Sequence, residues 1–252
     1  MDFVVVIPAR YASERLPGKP LREIAGKPMI RHVYERALAS GAAEVVVATD
    51  DERIERAVKS FGGDACMTST RHRSGSERLA EVIDLRDYGE DRIVVNLQGD
   101  EPLMPPELIH QVAEDLERHS RADVTTLCSR IEEAAELFDP HTVKVVMDRA
   151  GYALYFSRAP VPWDRDAFDG TTERLPESAE HYRHIGLYAY RAGYLRRYTA
   201  LPPCPPERME SLEQLRVLWH GGNIHVSMAA LPPGPGVDTQ QDLEKVANFL
   251  VT

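Results

Sequence analysis

Val4 to Ile7 and Val45 to Ala48 are short runs made wholly of apolar residues, and nothing else in the chain constrains its fold as much. A strand with one wet face alternates polar and apolar residues, whereas a strand apolar throughout must be covered on both faces. Such strands pair in parallel between two layers of helices.

The segments between these runs fit that arrangement. Lys27 to Ser40 reads as a helix, with Pro28 near its first position and Gly41 as its stop. Glu44 to Thr49 is a buried strand, Asp50-Asp51 opens a helix to about Phe61, and Ala65 to Met67 is a short strand. A helix from about Glu77 to Leu85, a strand from Arg92 to Leu97 and a helix from Pro105-Pro106 to about His119 follow. The order strand, helix, strand, helix predicts an α/β domain with a mostly parallel sheet.

The second half is less regular. Asp123 to Cys128 is a strand and Glu132 to Phe138 a short helix, and Val143 to Asp148 with Tyr152 to Phe156 form a hairpin around Arg149-Ala150-Gly151. Ser157 to Arg183 is a long polar loop, either functional or disordered. His184 to Tyr190 is a strand, Arg208 to Trp219 a helix, Asn223 to Met228 the last strand, and a final helix starts at about Asp238. No internal repeat or linker-like break appears, so residues 1–252 read as one domain, with 130–200 adding a flap to the same sheet.

The first strand runs into a loop carrying Arg10, Arg15 and Lys19, held by Pro8, Pro17, Gly18 and Pro20. Ligands of open α/β sheets bind where strands end, so a cationic loop there is a candidate anion site. The arginines offer planar forks and the lysine a point charge for phosphate; the competing reading is three solvated surface charges. Pro20 follows Lys19 where a P-loop helix would continue, and the GxxxxGK(S/T) pattern is absent. No GxGxxG follows any predicted strand, which counts against a dinucleotide oxidoreductase.

Composition narrows the classes further. The formal net charge of −10 excludes a global basic field for nucleic acid, so an anion site must be a local cluster. No apolar run approaches the roughly 20 residues that span a bilayer. Met1-Asp2 leads straight into a strand with no basic leader, and three widely separated cysteines fit reduced thiols in a cytoplasmic protein.

Four further constellations carry candidate chemistry. Asp100, in Gln98-Gly99-Asp100, ends a buried strand at the same edge as the cationic loop and is either a Mg²⁺ ligand beside a triphosphate or a turn aspartate before Pro102. Asp238-Thr239-Gln240-Gln241 resembles a capping box with Asp238 as N-cap, and a capping carboxylate keeps a second oxygen for metal. His72 to Arg78 precedes a helix and suits a base edge or a phosphate, although a Ser-type cap with a solvated arginine cluster is the better reading of the residues alone. His181 and His184 fall on opposite faces of a strand and make a poor metal pair. Neither HExxH nor GxSxG occurs.

Ten motifs then carry a family resemblance. IPARYASERLPGKPL, GKPMI, VATDD, HRSGSERLAEV, VNLQGDEP, VKVV, ALYFSRAPVPWDR, RHIGLYAYR, SLEQLRVL and PGVDT occur in this order from Ile7 to Thr239. Together they resemble the 3-deoxy-manno-octulosonate (Kdo) cytidylyltransferases, or CMP-Kdo synthetases. The resemblance implies a single domain like that of the nucleotide-diphospho-sugar transferases, with a mixed, mostly parallel sheet and a dimerising extension. It implies transfer of CMP from CTP to the anomeric hydroxyl of Kdo, with Mg²⁺ as cofactor, release of pyrophosphate, a homodimer, and a product used in lipopolysaccharide biosynthesis.

Carried over position by position, Arg10, Arg15 and Lys19 would face the phosphates, and Arg73, Ser74 and Gln98 the nucleotide. Asp100 and Asp238 would ligate Mg²⁺, while Arg158, Arg165, His184, Tyr188, Glu213 and Gln214 would line the sugar site. Lys19, Arg10, Asp100 and Asp238 would be the catalytic set, and the metal rather than a histidine would assist deprotonation of the hydroxyl. Departures are small: Ser76 replaces a usual Thr, Arg71 and Arg73 stand where acidic or amide residues are common, and Asp166 to Tyr182 matches loosely. Another acid sugar, such as an amino-substituted Kdo or a nonulosonic acid, is the rival substrate, and a non-catalytic nucleotide-binding regulator is the rival class.

Overall fold

The computed structural model describes residues 1–12, 15–168, 173–176 and 180–251. Its first half alternates as the sequence predicts. Strand β1 (Phe3–Ala9) is followed by a small hairpin, β2 (Glu23–Ile24) and β3 (Lys27–Pro28). Then come α1 (Met29–Ala39), β4 (Glu44–Thr49), α2 (Glu52–Ser60), β5 (Asp64–Met67), α3 (Gly75–Leu85), β6 (Ile93–Asn96) and α4 (Pro106–Arg118). The second half adds β7 (Val124–Arg130), α5 (Ala134–Phe138), β8 (Lys144–Met147), β9 (Ala153–Ser157) and β10 (Tyr182–Arg191). It closes with α6 (Ala192–Ala200), α7 (Pro205–Glu210), α8 (Leu215–Trp219), β11 (Ile224–Met228) and α9 (Gln240–Val251).

Nine strands make one mixed sheet in the order β11-β7-β10-β6-β1-β4-β5, with β8 paired to β10 and β9 to β8. β1 runs parallel to both β4 and β6, β10 is antiparallel to β6 and β7, and β11 is parallel to β7. The period of two along β1 builds two cores. Phe3, Val5 and Ile7 point to the face covered by α1, α2 and α4, while Val4 and Val6 meet Leu79, Val82 and Ile83 of α3. Each such fully buried apolar side chain contributes about 1.5–3 kcal/mol. Val143 to Phe156 folds as the expected hairpin, since Lys144 pairs with Ser157 and Val145 with Phe156.

Three local expectations differ from the structure. Arg208 to Trp219 is not one helix: Ser211 takes a left-handed conformation (φ 53°, ψ 46°) that ends α7, and α8 restarts at Leu215. Ala192 to Ala200, unassigned from sequence because tyrosines interrupt its apolar stripe and no side chain caps its start, is helix α6. Asp238 is not the cap of α9. Thr239 is: its hydroxyl accepts from Asp242 N at 3.2 Å, and Asp242 Oδ2 accepts from Thr239 N at 2.9 Å.

The long Ser157 to Arg183 stretch falls partly outside the described residues, among them 169–172 and 177–179. Phe168 of this stretch packs on Ile131 and Leu137, with the Trp163 ring 5.1 Å from that of Phe168. His181 contacts the Pro162 carbonyl at 2.8 Å.

Candidate active site

The carboxyl ends of β1, β4 and β6 form one edge, and two glycines make the approach there possible. Gly18 has φ +68°, and a Cβ on it would sit 3.2 Å from the Tyr11 ring. At Gly99 a Cβ would lie 2.9 Å from the Pro8 carbonyl oxygen, so only glycine lets the chain after β6 cross the end of β1. Tyr11 is itself covered by the Arg53 guanidinium, 3.3 Å from its centroid, which anchors the cationic loop to α2.

Lys19 is the hub of this edge. Its ammonium donates to Asp100 Oδ2 at 2.7 Å, to Asp238 Oδ1 at 3.1 Å and to the Val237 carbonyl at 2.9 Å. Burial pulls the lysine down, but Asp100 and Asp238 outweigh it and hold its pKa above the usual value. Arg15 reaches Asp238 Oδ1 at 3.0 Å. The bond from Val237 N to Asp100 O at 2.9 Å docks the late Val237-Asp238 segment beside the end of β6. Because Thr239 does the capping, the Asp238 carboxylate is free to face the two cations.

Arg10 donates through Nη2 to the His72 carbonyl and ties the loop to the segment before α3. Ser74 caps α3 by accepting from Glu77 N at 3.2 Å. The arginines of this segment divide. Arg71 and Arg73 are exposed as expected, but Arg78 is completely buried, binding Asp50 Oδ2 at 2.8 Å and Thr68 Oγ1 at 2.5 Å. Arg78 is therefore a structural tie rather than a solvated charge, and removing one partner of such a buried pair costs about 3–5 kcal/mol.

Two cavities meet at this edge. One of about 310 Å³ is lined by Arg10, Lys19, Arg73, Ser74, Gln98 and Asp100. The other, narrower at about 100 Å³, is lined by Ser76, Gln98, Tyr188, Tyr190, Glu213 and Gln214. Gln98 belongs to both walls. A wider space of about 590 Å³ lies beyond Ser74 and Glu213, bordered by Arg71 and Arg208.

The second cavity is built by two irregularities. The register of β10 against β7 shifts between Ile185 and Tyr188, a bulge of the kind that re-aims side chains. The break at Ser211 brings Glu213 and Gln214 to the opposite wall. Burial raises the Glu213 pKa, while Arg216, Tyr198, Ser76 and Ser74 pull it back only in part. Its Oε1 is buried with no hydrogen-bond partner among the described residues. His184 lies behind Tyr188, with ring centroids 5.3 Å apart. His184 Nε2 and Thr126 Oγ1 share a hydrogen bond of 3.0 Å, and the same hydroxyl lies 2.8 Å from the Leu187 carbonyl and 3.0 Å from that of Ile185. Burial pushes this imidazole down to about 3, and it is neutral.

Comparison with known proteins gives the family. A family model described as cytidylyltransferase matches residues 4–224. The 3-deoxy-manno-octulosonate cytidylyltransferase of Nitrosococcus oceani is 59% identical over 100% of this chain and 98% of its own length. That of Coxiella burnetii is 56% identical over 99% of this chain and 100% of its own. The chain belongs to the 3-deoxy-manno-octulosonate cytidylyltransferase family. A solved structure of CMP:2-keto-3-deoxy-manno-octonic acid synthetase complexed with CTP is 48% identical, with a TM-score of 0.90 over 100% of this chain and 99% of that one.

Within this cytidylyltransferase the site residues expected from sequence are not all brought together. Arg10, Arg15, Lys19, Asp100 and Asp238 are, as are Arg73, Ser74 and Gln98 on the adjoining wall. Tyr188, Glu213 and Gln214 line the second cavity with His184 behind them. Arg158 and Arg165 line neither. Arg158 is turned onto the carbonyls of Glu210 and Pro140, and Arg165 is 89% exposed and pairs with Asp166.

Glu101 went unnoticed in the sequence. It is half-buried beside Asp100 and Asp238, and desolvation followed by those two charges pushes its pKa up to about 8. The signal was its place next to Asp100, which a one-residue reading of the motif passes over.

A divalent cation fits this edge on the chemistry of its donors. Asp100 Oδ2, Asp238 Oδ1 and the Val237 carbonyl already converge on one positive charge, and all three are hard oxygens. No group of three or more His, Cys, Asp or Glu side chains with metal-binding geometry occurs among the described residues. Two carboxylates are what Mg²⁺ uses when substrate phosphates complete its shell.

Proposed function

We propose that this protein transfers CMP from CTP to the anomeric hydroxyl of Kdo and releases pyrophosphate. The observation that carries the reading is the shared wall at Gln98. It joins the cavity holding the Lys19, Asp100 and Asp238 charges to the cavity holding Tyr188, Glu213 and Gln214. A nucleotide in the first and an acid sugar in the second would meet there. The family membership and the CTP-bound relative support the choice of substrates.

The roles follow from charge. Arg10, Arg15 and Lys19 take the triphosphate and stabilise the charge that develops on departing pyrophosphate. Arg73, Ser74 and Gln98 hold the nucleoside part. Asp100 and Asp238 would hold Mg²⁺, which when bound neutralises phosphate charge and acidifies the attacking hydroxyl. Glu213 supplies a buried acceptor for a sugar hydroxyl, and Gln214 and Tyr188 flank it. His184, neutral and too weak as a base near pH 7, serves as a polar wall. Arg158 and Arg165 are the cations available to the sugar carboxylate. In-line transfer asks little covalent work of the protein, so positioning dominates.

The assembly reading is a homodimer in the cytoplasm whose product feeds lipopolysaccharide biosynthesis, with 130–200 as sugar-site flap and dimerising extension. Leu154, Tyr155, Met209 and Trp219 are exposed apolar side chains within or beside that extension, and a second copy would cover them. No helix among the described residues is long and apolar enough to cross a membrane.

The test is pyrophosphate release with CTP and Mg²⁺, comparing Kdo, sialic acid and no sugar. Release with Kdo alone is expected. Release with sialic acid but not Kdo would move the reading to another acid sugar, and none with any sugar would end it.

A further inference from the structure

Glu210 is the last residue of α7, one position before the left-handed Ser211 and three before Glu213. It has no place in the reaction as set out above, yet it is bonded repeatedly to the end of β9. Ser157 Oγ donates to Glu210 Oε1 at 2.7 Å, and Arg158 N donates to Glu210 Oε2 at 2.9 Å. The Arg158 side chain returns the contact, with Nε donating to the Glu210 carbonyl at 2.6 Å. Both carboxylate oxygens and the main-chain oxygen of one residue thus bind two consecutive residues of another element.

A second tie works from the other side. Lys144 on β8 is fully buried, and its ammonium donates to the carbonyls of Arg158 (2.6 Å), Thr142 (2.6 Å) and Asp139 (2.9 Å). Arg158 Nη1 donates to the Pro140 carbonyl at 3.0 Å. Main chain and guanidinium are therefore fixed together, and Nη2 makes no hydrogen bond among the described residues.

We propose that Glu210 is a positioning residue for the acid-sugar site, locking Arg158 at a set distance from Glu213 and Gln214. The inference rests on the sugar-site reading above. The carboxylate clamps the end of β9 to the corner between α7 and α8. On one side of that corner the Arg158 guanidinium is held outside both cavities on the Glu210 and Pro140 carbonyls, where it could reach a carboxylate extending from the second cavity, and on the other side Glu213 and Gln214 line that cavity. A sugar acid spanning both sides is bound well only when their separation is fixed, because ordering them at binding would cost affinity. None of Glu210, Arg158, Glu213 and Gln214 lines the cavity of Arg10, Lys19 and Asp100, so the clamp should leave CTP binding alone.

Glu210→Gln keeps the shape but replaces one acceptor oxygen by an amide donor facing Ser157 or Arg158 N. Its KM for Kdo should rise about tenfold, the size expected for one charge-assisted hydrogen bond. kcat and the KM for CTP should stay within about twofold. Glu210→Asp should recover part of the loss, and in an Arg158→Lys background Glu210→Gln should add little. A rise in both KM values together, or an undiminished effect in the Arg158→Lys background, would overturn the proposal.

Hydrogen exchange gives a readout that needs no turnover. The amides of 157–158 and of 211–214 should lose protection together in Glu210→Gln. Loss confined to 157–158 would also overturn it. If Glu210→Gln does not fold, Ser157→Ala should move the Kdo KM alone and by less, and a change in the CTP KM there would count against the clamp. Failure of wild-type protein to release pyrophosphate with Kdo would instead indict the function, and the exchange arm would still judge the clamp.

Discussion

Lys19 Nζ lies 2.7 Å from Asp100 Oδ2 and, through another of its three hydrogens, reaches Asp238 Oδ1 at 3.1 Å. One ammonium thus sits between the two carboxylates that would otherwise share a divalent cation. The lysine holds these two acids side by side.

Lys19→Met should lower turnover by about 100- to 1,000-fold, the usual effect of deleting one donor to developing charge. Its stability cost should be only about 1 kcal/mol, because the paired carboxylates remain partly solvated. Steady-state kinetics and a denaturant titration on the same preparation check both. A variant that unfolds in step with its loss of activity would contradict the assignment.

Asp238 and Thr239 are neighbours with separable duties. Asp238→Asn should remove nearly all turnover with α9 intact. Thr239→Ala should cost about 1 kcal/mol of stability as a lost cap and leave kcat close to wild type. Full activity in Asp238→Asn would remove it from the metal pair.

Chelation should abolish turnover and Mg²⁺ should restore it. Mg²⁺ alone should raise Tm little, since two carboxylates hold it weakly, whereas Mg²⁺ with CTP should raise Tm clearly. Undiminished turnover in excess chelator would rule out the metal reading.

His184 sets an acid limb on stability. Its imidazole is held near 3 in the folded chain by burial, against 6.5 when solvated. Below pH 6.5 the unfolded chain binds a proton that the folded chain refuses, so its contribution is present above that pH and is lost as pH falls toward 3. The slope is at most about 1.4 kcal/mol per pH unit. Urea titrations from pH 7 to 4 should show a shallower decline in His184→Gln. Superimposable declines would mean that His184 is not the group.

Arg165→Ala should raise the KM for Kdo about tenfold. It should leave Tm unchanged, because the side chain is almost fully solvated and, among the described residues, is bonded only to exposed Asp166. An unchanged KM would exclude Arg165 from sugar binding.

Much of this was legible in the chain itself. Val4 to Ile7 and Glu44 to Thr49 announce strands covered on both faces, and β1 and β4 are interior strands, each paired on both sides. Arg10, Arg15, Lys19 and Asp100 stand out because cations and an acid follow such strands. What stayed hidden depends on contacts far apart in sequence. Whether Arg78 is solvated or buried is decided by Asp50 and Thr68. The break at Ser211 is invisible because serine carries no mark of a left-handed backbone, as glycine would. Asp238 looked like a cap because Asp and Gln at that spacing form one, and the Thr239–Asp242 exchange one residue later competed and won.

The pairing of Lys19 with Asp238 also sets a clock. The two residues are 219 positions apart, and Val237 and Asp238 dock only after β11, which itself pairs with the interior strand β7. A nascent chain emerging from the ribosome exposes its cationic loop early and its second acid near the end of these residues. Until then Lys19 has only the first of its two acidic partners, Asp100. A product terminated before Val237 would keep the Lys19–Asp100 pair and lack the Asp238 pairs with Lys19 and Arg15.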